Sequence, residues 1–394
     1  MSRSQLPSQG ESSRPRSSVG RHDDSIRRQK ILVLGWRKAG KTSCIKTVFE
    51  HVPPSEVAYF DSTQKFEKID YDTIIPLQIW DTPSNFELET LDVPLSSFST
   101  IIYVMDIQAD DSYHEAMLPF VRILLRAYLS NPAVKFAVFI HKAESLSEDY
   151  RGENYAEIQR ALAEELEDFP YTSLQQYSSL NFSDPSVTNI IINSIQSEVR
   201  FDMTSVHDVS LREAWSRVLQ GIMEMLPSVE SLLINFTGSS GMDNTYLFDM
   251  ESRVVVASDN RGRNDATMQL VTEYLDKFLQ FADLYKCLGK RKDDGEDLEN
   301  GDMSNGRDNG VPDDDEEEDE PGSWWDQEDP DAPWMTQSTK LMPNTTIALW
   351  QFTPHLVLVI LVRTDTWQTR RGMIEYNLTF LRQGVRRILM EVEA

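Results

Sequence analysis

The stretch Gly35-Trp36-Arg37-Lys38-Ala39-Gly40-Lys41-Thr42 constrains this chain more than any other. It fits G-x-x-x-x-G-K-[ST], the phosphate-loop pattern. The apolar run Ile31-Leu32-Val33-Leu34 precedes it and reads as a buried strand. Ser43-Cys44-Ile45-Lys46-Thr47-Val48-Phe49 follows and reads as a helix. The order strand, loop, helix turns a pattern match into a physical site. Glycines let the backbone turn tightly, so that successive N–H groups point at phosphate oxygens. The helix adds the positive end of its dipole. Gly35, Arg37, Lys38, Ala39, Gly40, Lys41, Thr42 and Ser43 are therefore candidate phosphate contacts. Lys41 would reach the β- and γ-phosphates, and the Thr42 hydroxyl would ligate Mg²⁺.

The rest of the chain divides by composition. Residues 1–29 are rich in Ser, Arg, Gln and Gly and nearly free of apolar side chains, and read as a disordered arm. Residues 30–226 alternate apolar runs (31–34, 76–80, 100–105, 135–140, 199–203) with helical patterns (113–129, 157–166, 211–225). Alternation of that kind implies an α/β fold, a parallel-dominated sheet with helices on both faces. On such sheets ligands bind at the carboxyl ends of the strands. Residues 178–198 look inserted before the 199–203 strand.

Residues 227–394 read as an α+β unit. Its parts are a short apolar helix or strand start at 229–236, strands at 246–250 and 253–257, an amphipathic helix at 267–288 with Met268, Val271, Tyr274, Leu275, Phe278 and Phe281 as its apolar positions, strands at 345–352 and 356–362, and a helix at 373–390. An acidic insert, 290–338, interrupts it. Residues 293–331 hold nineteen Asp and Glu against the single Arg307, so they carry −18 of the chain's net −26. The remaining −8 is ordinary for a soluble protein. The run 313–320 repels itself and reads as solvated loop. Trp324, Trp325 and Trp334 beside it suggest docking on the protein's own surface or an acidic-aromatic partner motif.

Several classes are excluded. Nothing forms a basic groove for nucleic acid. Two cysteines, Cys44 and Cys287, give no disulfide framework or metal spacing, which fits a reducing compartment. No apolar run approaches the roughly 18 residues of a membrane span, and neither end carries a lipidation motif. Any membrane association is expected to come through partners.

Three further pieces fall at strand ends. Asp81, in Ile79-Trp80-Asp81-Thr82-Pro83, stands where a Walker-B carboxylate would hold Mg²⁺ through water. Thr63, in Ser62-Thr63, could be a switch threonine that binds Mg²⁺ when the γ-phosphate is present, or a plain loop residue. His141-Lys142-Ala143-Glu144 occupies the place of the guanine-reading N-K-x-D of GTPases. A carboxylate at Glu144 matches the guanine N1–H and amino group, and Lys142 can lay its stem along the base. Thr204-Ser205-Val206 sits where a third loop would meet the guanine carbonyl.

Together these pieces resemble the Rag GTPases, and within them the RagC/RagD-type branch. The likeness rests on the phosphate loop, Ser62-Thr63, Gln78-Ile79-Trp80-Asp81 with Pro83, and Phe139-Ile140-His141-Lys142. It rests also on Thr204-Ser205-Val206-His207-Asp208 and Leu226-Pro227-Ser228-Val229-Glu230-Ser231-Leu232-Leu233. It covers about 30–290 and 340–390. The resemblance implies a Ras-like P-loop GTPase domain followed by a roadblock-type dimerisation domain. It implies GTP or GDP with Mg²⁺ as ligands, and a heterodimer with a RagA/RagB-type subunit. It also implies a lipidated scaffold complex that recruits a cytoplasmic protein to the lysosomal or vacuolar surface, and a relay of amino-acid sufficiency to the TORC1 kinase. In this branch the GDP-loaded form favours signalling.

The chain departs from the family at three places. Asp81-Thr82-Pro83-Ser84 replaces D-x-P-G, so Ser84 stands where a glycine N–H turns toward the γ-phosphate. Asn85 takes the place of a water-orienting Gln, with a shorter reach. Glu144 replaces Asp. Ser84 and Asn85 are the candidate catalytic positions, and they lead us to expect slow hydrolysis that an activating protein accelerates. A pseudo-GTPase scaffold acting through its C-terminal domain is the alternative reading.

Overall fold

The computed structural model describes residues 28–61, 63–109, 113–178, 180–261, 265–290, 336–341, 343–353 and 355–393. Nearly all of the N-terminal arm, Ser62, the acidic run at 313–320 and Trp324, Trp325 and Trp334 lie outside the described residues.

Six strands form the first sheet: β1 (Gln29–Gly35), β2 (Glu67–Tyr71), β3 (Leu77–Asp81), β4 (Phe98–Asp106), β5 (Lys135–His141) and β6 (Val199–Thr204). Their order is β2-β3-β1-β4-β5-β6, and every pair is parallel except β2 with β3. The parallel-dominated sheet expected from the sequence is thus present. Period-2 alternation divides its two cores. Leu32 and Leu34 of β1, with Ile101, Tyr103 and Met105 of β4, face α3 (Tyr113–Ser130), α4 (Glu148–Glu167) and α5 (Pro185–Glu198). Ile31, Val33, Ile102 and Val104 face α1 (Lys41–Phe49) and α6 (Ser210–Ile222). Helix α6 buries Leu211, Ala214, Trp215, Val218 and Leu219, a spacing that gives one apolar stripe. Trp215 is fully buried, its indole N–H donating to the Cys44 carbonyl at 3.1 Å. Between α1 and β2 lies the single turn α2 (Pro54–Val57).

The second sheet is antiparallel, in the order β8-β7-β11-β10-β9. Its strands are β7 (Asn244–Asp249), β8 (Val255–Ser258), β9 (Thr336–Leu341), β10 (Thr345–Thr353) and β11 (Leu356–Arg363). Helices α7 (Leu226–Ser240) and α9 (Thr364–Glu393) cover the face of Trp350, Phe352, Leu358 and Ile360. Helix α8 (Asp265–Lys290) covers the other face through Met268, Val271, Leu275 and Leu279. This is the roadblock-like arrangement the resemblance implied.

Of the two readings of 229–236, helix or strand start, the helix is present, since Val229, Leu233 and Phe236 fall on one face. Other expectations change. The apparent insertion at 178–198 contributes core. Asp184 caps α5 by accepting the Ser186 N–H at 2.9 Å, and Ile191, Ile192 and Ile195 are buried against α4 and the sheet. Strand β9 starts at Thr336, inside the stretch assigned to the acidic insert, and Phe281, which belongs to the apolar pattern of the 267–288 helix, is 58% exposed.

The two sheets share packing. Val254, beside β8, belongs to the core of the first unit, and Ile74 and Ile75 of the β2–β3 turn pack on the core of the second. The buried Asp249 carboxylate accepts from the Ile74 N–H at 2.7 Å and from Ser252 N–H and hydroxyl at 2.8 and 2.6 Å. His51 Nε2, at the end of α1, lies 2.7 Å from the Glu251 carbonyl oxygen. Asp276 of α8 pairs with Arg212 at 2.8 Å and Arg253 at 3.2 Å.

Candidate functional site

Strand β1 ends in Gly35, whose φ is +151°. A Cβ there would sit 2.2 Å from the Val104 carbonyl oxygen of the neighbouring strand, so the loop leaves β1 where only glycine fits. Lys38 takes a left-handed φ of 62°, and Gly40 precedes α1 with φ 97°. The ammonium of Lys41 folds under this loop, donating to the carbonyls of Gly35 at 3.0 Å and Trp36 at 3.2 Å. Burial lowers the Lys41 pKa, and the charge of Asp81 works against that shift.

Next to it three hydroxyl and carboxylate oxygens converge from three elements. Thr42 Oγ1 donates to Asp81 Oδ2 at 2.5 Å and lies 2.6 Å from Thr63 Oγ1. Thr63 Oγ1 also reaches Asp81 Oδ2 at 3.4 Å. The second oxygen, Asp81 Oδ1, is buried without a hydrogen-bond partner. Burial raises the Asp81 pKa, while the Thr42 bond and the Lys41 charge pull it down. An orphaned carboxylate oxygen beside two hydroxyls is a donor set of hard oxygens, which suits Mg²⁺. The predicted trio Thr42, Thr63 and Asp81 is therefore brought together.

The loop opens on a cleft of about 570 Å³. Arg37, Lys38, Gly40, Lys41, Thr42 and Ser43 form its floor, and Pro54, Val57, Ala58, Phe60, Asp61 and Thr63 one wall. His141, Lys142, Glu144, Val206 and His207 form the far rim, and Ser84 lines the cleft as well. Of the predicted residues, Gly35, Ala39, Asp81, Ser205 and Asn85 lie outside the lining. Gly35, Ala39 and Asp81 support it from below. Asn85 is exposed and is not among the residues that line the cleft.

The rim is built from strand ends. Asp106, His141 and Thr204 lie in one row across β4, β5 and β6. His141 is 2% exposed, and its Nδ1 lies 3.0 Å from Thr204 Oγ1. Its ring occupies the space beneath Gly40, where a Cβ would approach Cδ2 to 2.5 Å. Burial lowers its pKa to about 4, so the ring is neutral. His141 thus supports the phosphate loop as well as the rim. Lys142 donates to Asp106 Oδ2 at 2.6 Å and to the Lys38 carbonyl at 2.8 Å, tying rim to loop. Ser205 is buried; its N–H donates to Ser210 Oγ at 2.9 Å, and its hydroxyl accepts the His207 N–H at 3.0 Å. Glu144 Oε1 lies 3.9 Å from His207 Nε2.

Sequence reasoning gave no site role to Asp106 or His207, and it marked 54–72 only as a segment that changes with the nucleotide, without naming Pro54, Val57, Ala58, Phe60 and Asp61 as a wall. Asp106 carried a signal, as the residue ending an apolar strand next to the His141 strand. The wall has no motif, because a surface of that kind needs only shape.

Comparison with known proteins agrees with this geometry. The family described as the Gtr1/RagA G protein conserved region matches residues 30–282. Ras-related GTP-binding protein C of Homo sapiens is 28% identical over 91% of this chain and 76% of its own length. GTP-binding protein gtr2 of Schizosaccharomyces pombe is 26% identical over 91% of this chain and 98% of its own. GTP-binding protein gtr1 of the same yeast is 22% identical over 61% of this chain and 71% of its own. The chain therefore belongs to the Gtr1/RagA G protein family, on its RagC/RagD-type side, and is with that family a guanine-nucleotide-binding GTPase.

Proposed function

We propose that the cleft holds GTP or GDP with Mg²⁺, and that the exchange between them is this protein's signal. The observation that carries the proposal is the convergence of Thr42, Thr63 and Asp81 with a buried, unpartnered Asp81 oxygen. Thr42 and Asp81 are on the phosphate loop's helix and β3, whereas Thr63 is on the segment between α2 and β2. A ligand bound among the three ties that segment down, and its loss frees it. When present, Mg²⁺ would be held by these three residues and would neutralise phosphate charge. The chain's own residues do the rest. Lys41 and the loop N–H groups hold the β- and γ-phosphates, and Lys142 spans loop and base. Glu144 accepts from the guanine edge, while Ser205 and Val206 close the rim.

Hydrolysis is expected to be slow. Ser84 lines the cleft with a Cβ where the family has glycine, and Asn85 stands outside the wall. An activating protein would supply what they lack. By likeness to its relatives, the protein would act as one half of a heterodimer with a RagA/RagB-type subunit. A lipidated scaffold would recruit it to the lysosomal or vacuolar surface, where it would relay amino-acid sufficiency to TORC1. Among the described residues no helix is long and apolar enough to cross a membrane. The scaffold-only reading is not favoured, since a built cleft would then have no use.

The test is Asp81→Asn. Fluorescent GDP should bind the wild-type chain at least tenfold more tightly with Mg²⁺ than with EDTA, a loss of about 1.4 kcal/mol or more. The variant should lose that difference. An unchanged magnesium dependence would refute the assignment.

A further inference from the structure

We propose that Asp106 is a positioning residue for nucleotide binding. It anchors the Lys142 ammonium at the end of the sheet, so that one side chain locks the phosphate loop to the base-side rim. The inference deepens the guanine-site reading above and rests on it.

Asp106 is the last residue of β4, and its backbone is fixed. It pairs with His141 in the parallel ladder, and the N–H of Ile107 donates to the His141 carbonyl at 3.0 Å. Its two carboxylate oxygens have separate tasks. Oδ1 accepts the Gln108 N–H at 3.0 Å, closing the turn that leaves the strand. Oδ2 accepts from Lys142 Nζ at 2.6 Å. The pair is sheltered, its side chains 20% and 32% exposed, and an aspartate and a lysine both carry charge at neutral pH. A contact of that length is a charge-assisted hydrogen bond rather than a loose surface attraction.

The same ammonium donates to the Lys38 carbonyl at 2.8 Å. Lys38 and Lys142 stand at φ 62° and 63°, left-handed backbone that a side chain disfavours. Residues keep such a conformation where their surroundings hold it. The chain Asp106–Lys142–Lys38 ties these two together.

The anchor also decides where the cation goes. Arg37, Lys38 and Lys41 already line the floor where phosphates bind. A bound diphosphate would draw an untethered lysine toward itself on its flexible stem. Held by Asp106, the ammonium stays at the strand ends and the methylenes are left to lie along the base. The neighbouring His141 does not share this task, since its ring lies beneath Gly40 with Nδ1 3.0 Å from Thr204 Oγ1.

The experiment measures fluorescent GDP binding to the full chain with Mg²⁺. Asp106→Asn isolates the anchor, because its amide oxygen still accepts the Gln108 N–H while the charge is gone. It should weaken GDP binding about three- to tenfold, between the scales of an exposed and a buried ion pair. In a Lys142→Met background the same change should move GDP affinity by less than about twofold. Asp106→Glu, which keeps the anion, should bind GDP more tightly than Asp106→Asn. Thermal unfolding checks that each variant is folded. The inference is overturned, and the guanine reading stands, if Asp106→Asn weakens binding equally in both backgrounds, or if Asp106→Glu binds no better than Asp106→Asn. The same holds if Lys142→Met weakens binding while Asp106→Asn does not. If neither Asp106→Asn nor Lys142→Met changes GDP affinity, Lys142 does not span loop and base, and that part of the reading falls with the inference.

Discussion

Replacing Gly40 by alanine tests how the phosphate loop is built. Gly40 has φ 97°, and a Cβ there would lie 2.5 Å from Cδ2 and 3.0 Å from Nε2 of His141. Ordinary carbon contacts are about 3.5–4.0 Å, so ring or loop must move by about 1 Å. The ring cannot yield cheaply, being 2% exposed and hydrogen-bonded to Thr204. Left-handed backbone costs an alanine about 1–2 kcal/mol, and overpacking a filled site about 1–3 kcal/mol. Gly40→Ala should therefore destabilise the chain by about 2–5 kcal/mol. It should also weaken GDP binding, because the displaced N–H groups no longer converge. Urea denaturation followed by tryptophan fluorescence measures the first effect. A double-mutant cycle separates its two parts. In a His141→Ala background the overpacking portion should vanish and the backbone portion remain. The reasoning is refuted if Gly40→Ala costs less than about 0.5 kcal/mol. It is refuted equally if the cost is the same with and without the ring.

Other expectations follow from the packing between the two sheets. Asp249→Ala orphans the N–H groups of Ile74 and Ser252, each worth about 1–3 kcal/mol when buried, and should lower stability by about 2–6 kcal/mol in the same urea assay. His51 and His141 are each held by burial at about 4, below the ordinary 6.5. Both are neutral in the fold, so the unfolded chain takes up protons first as pH drops. Their contribution is intact above about pH 6.5 and is lost as pH falls toward 4, by about 3 kcal/mol per ring. The buried Asp81 and Asp249, with raised pKa values, act in the opposite sense. The difference between wild type and His51→Gln isolates the His51 share, and a pH-independent difference would contradict it. In single-turnover assays the isolated chain should cleave GTP far more slowly than an activated Ras-type enzyme; equal rates would show that Ser84 and Asn85 are no handicap.

The phosphate loop and the central strands were legible because burial on both faces leaves unbroken apolar runs, as in 31–34 and 136–140. Strand β2 was not, since Glu67 and Lys68 are exposed on an edge and its pattern is polar. Helix α9 begins nine residues before its apolar stripe, in a turn where Trp367 and Thr364 alone are buried. At the site, residues in motifs were found and residues that only meet in space were not. His207 faces Glu144 through the pairing of β5 with β6, which no local pattern reveals.

The most direct test of the account is the nucleotide released when the purified, folded chain is denatured. The cleft between the phosphate loop and Glu144 predicts close to one GDP or GTP per chain, or tight uptake of added GDP with Mg²⁺. A folded chain that carries neither, and binds no guanine nucleotide when magnesium is supplied, would contradict it.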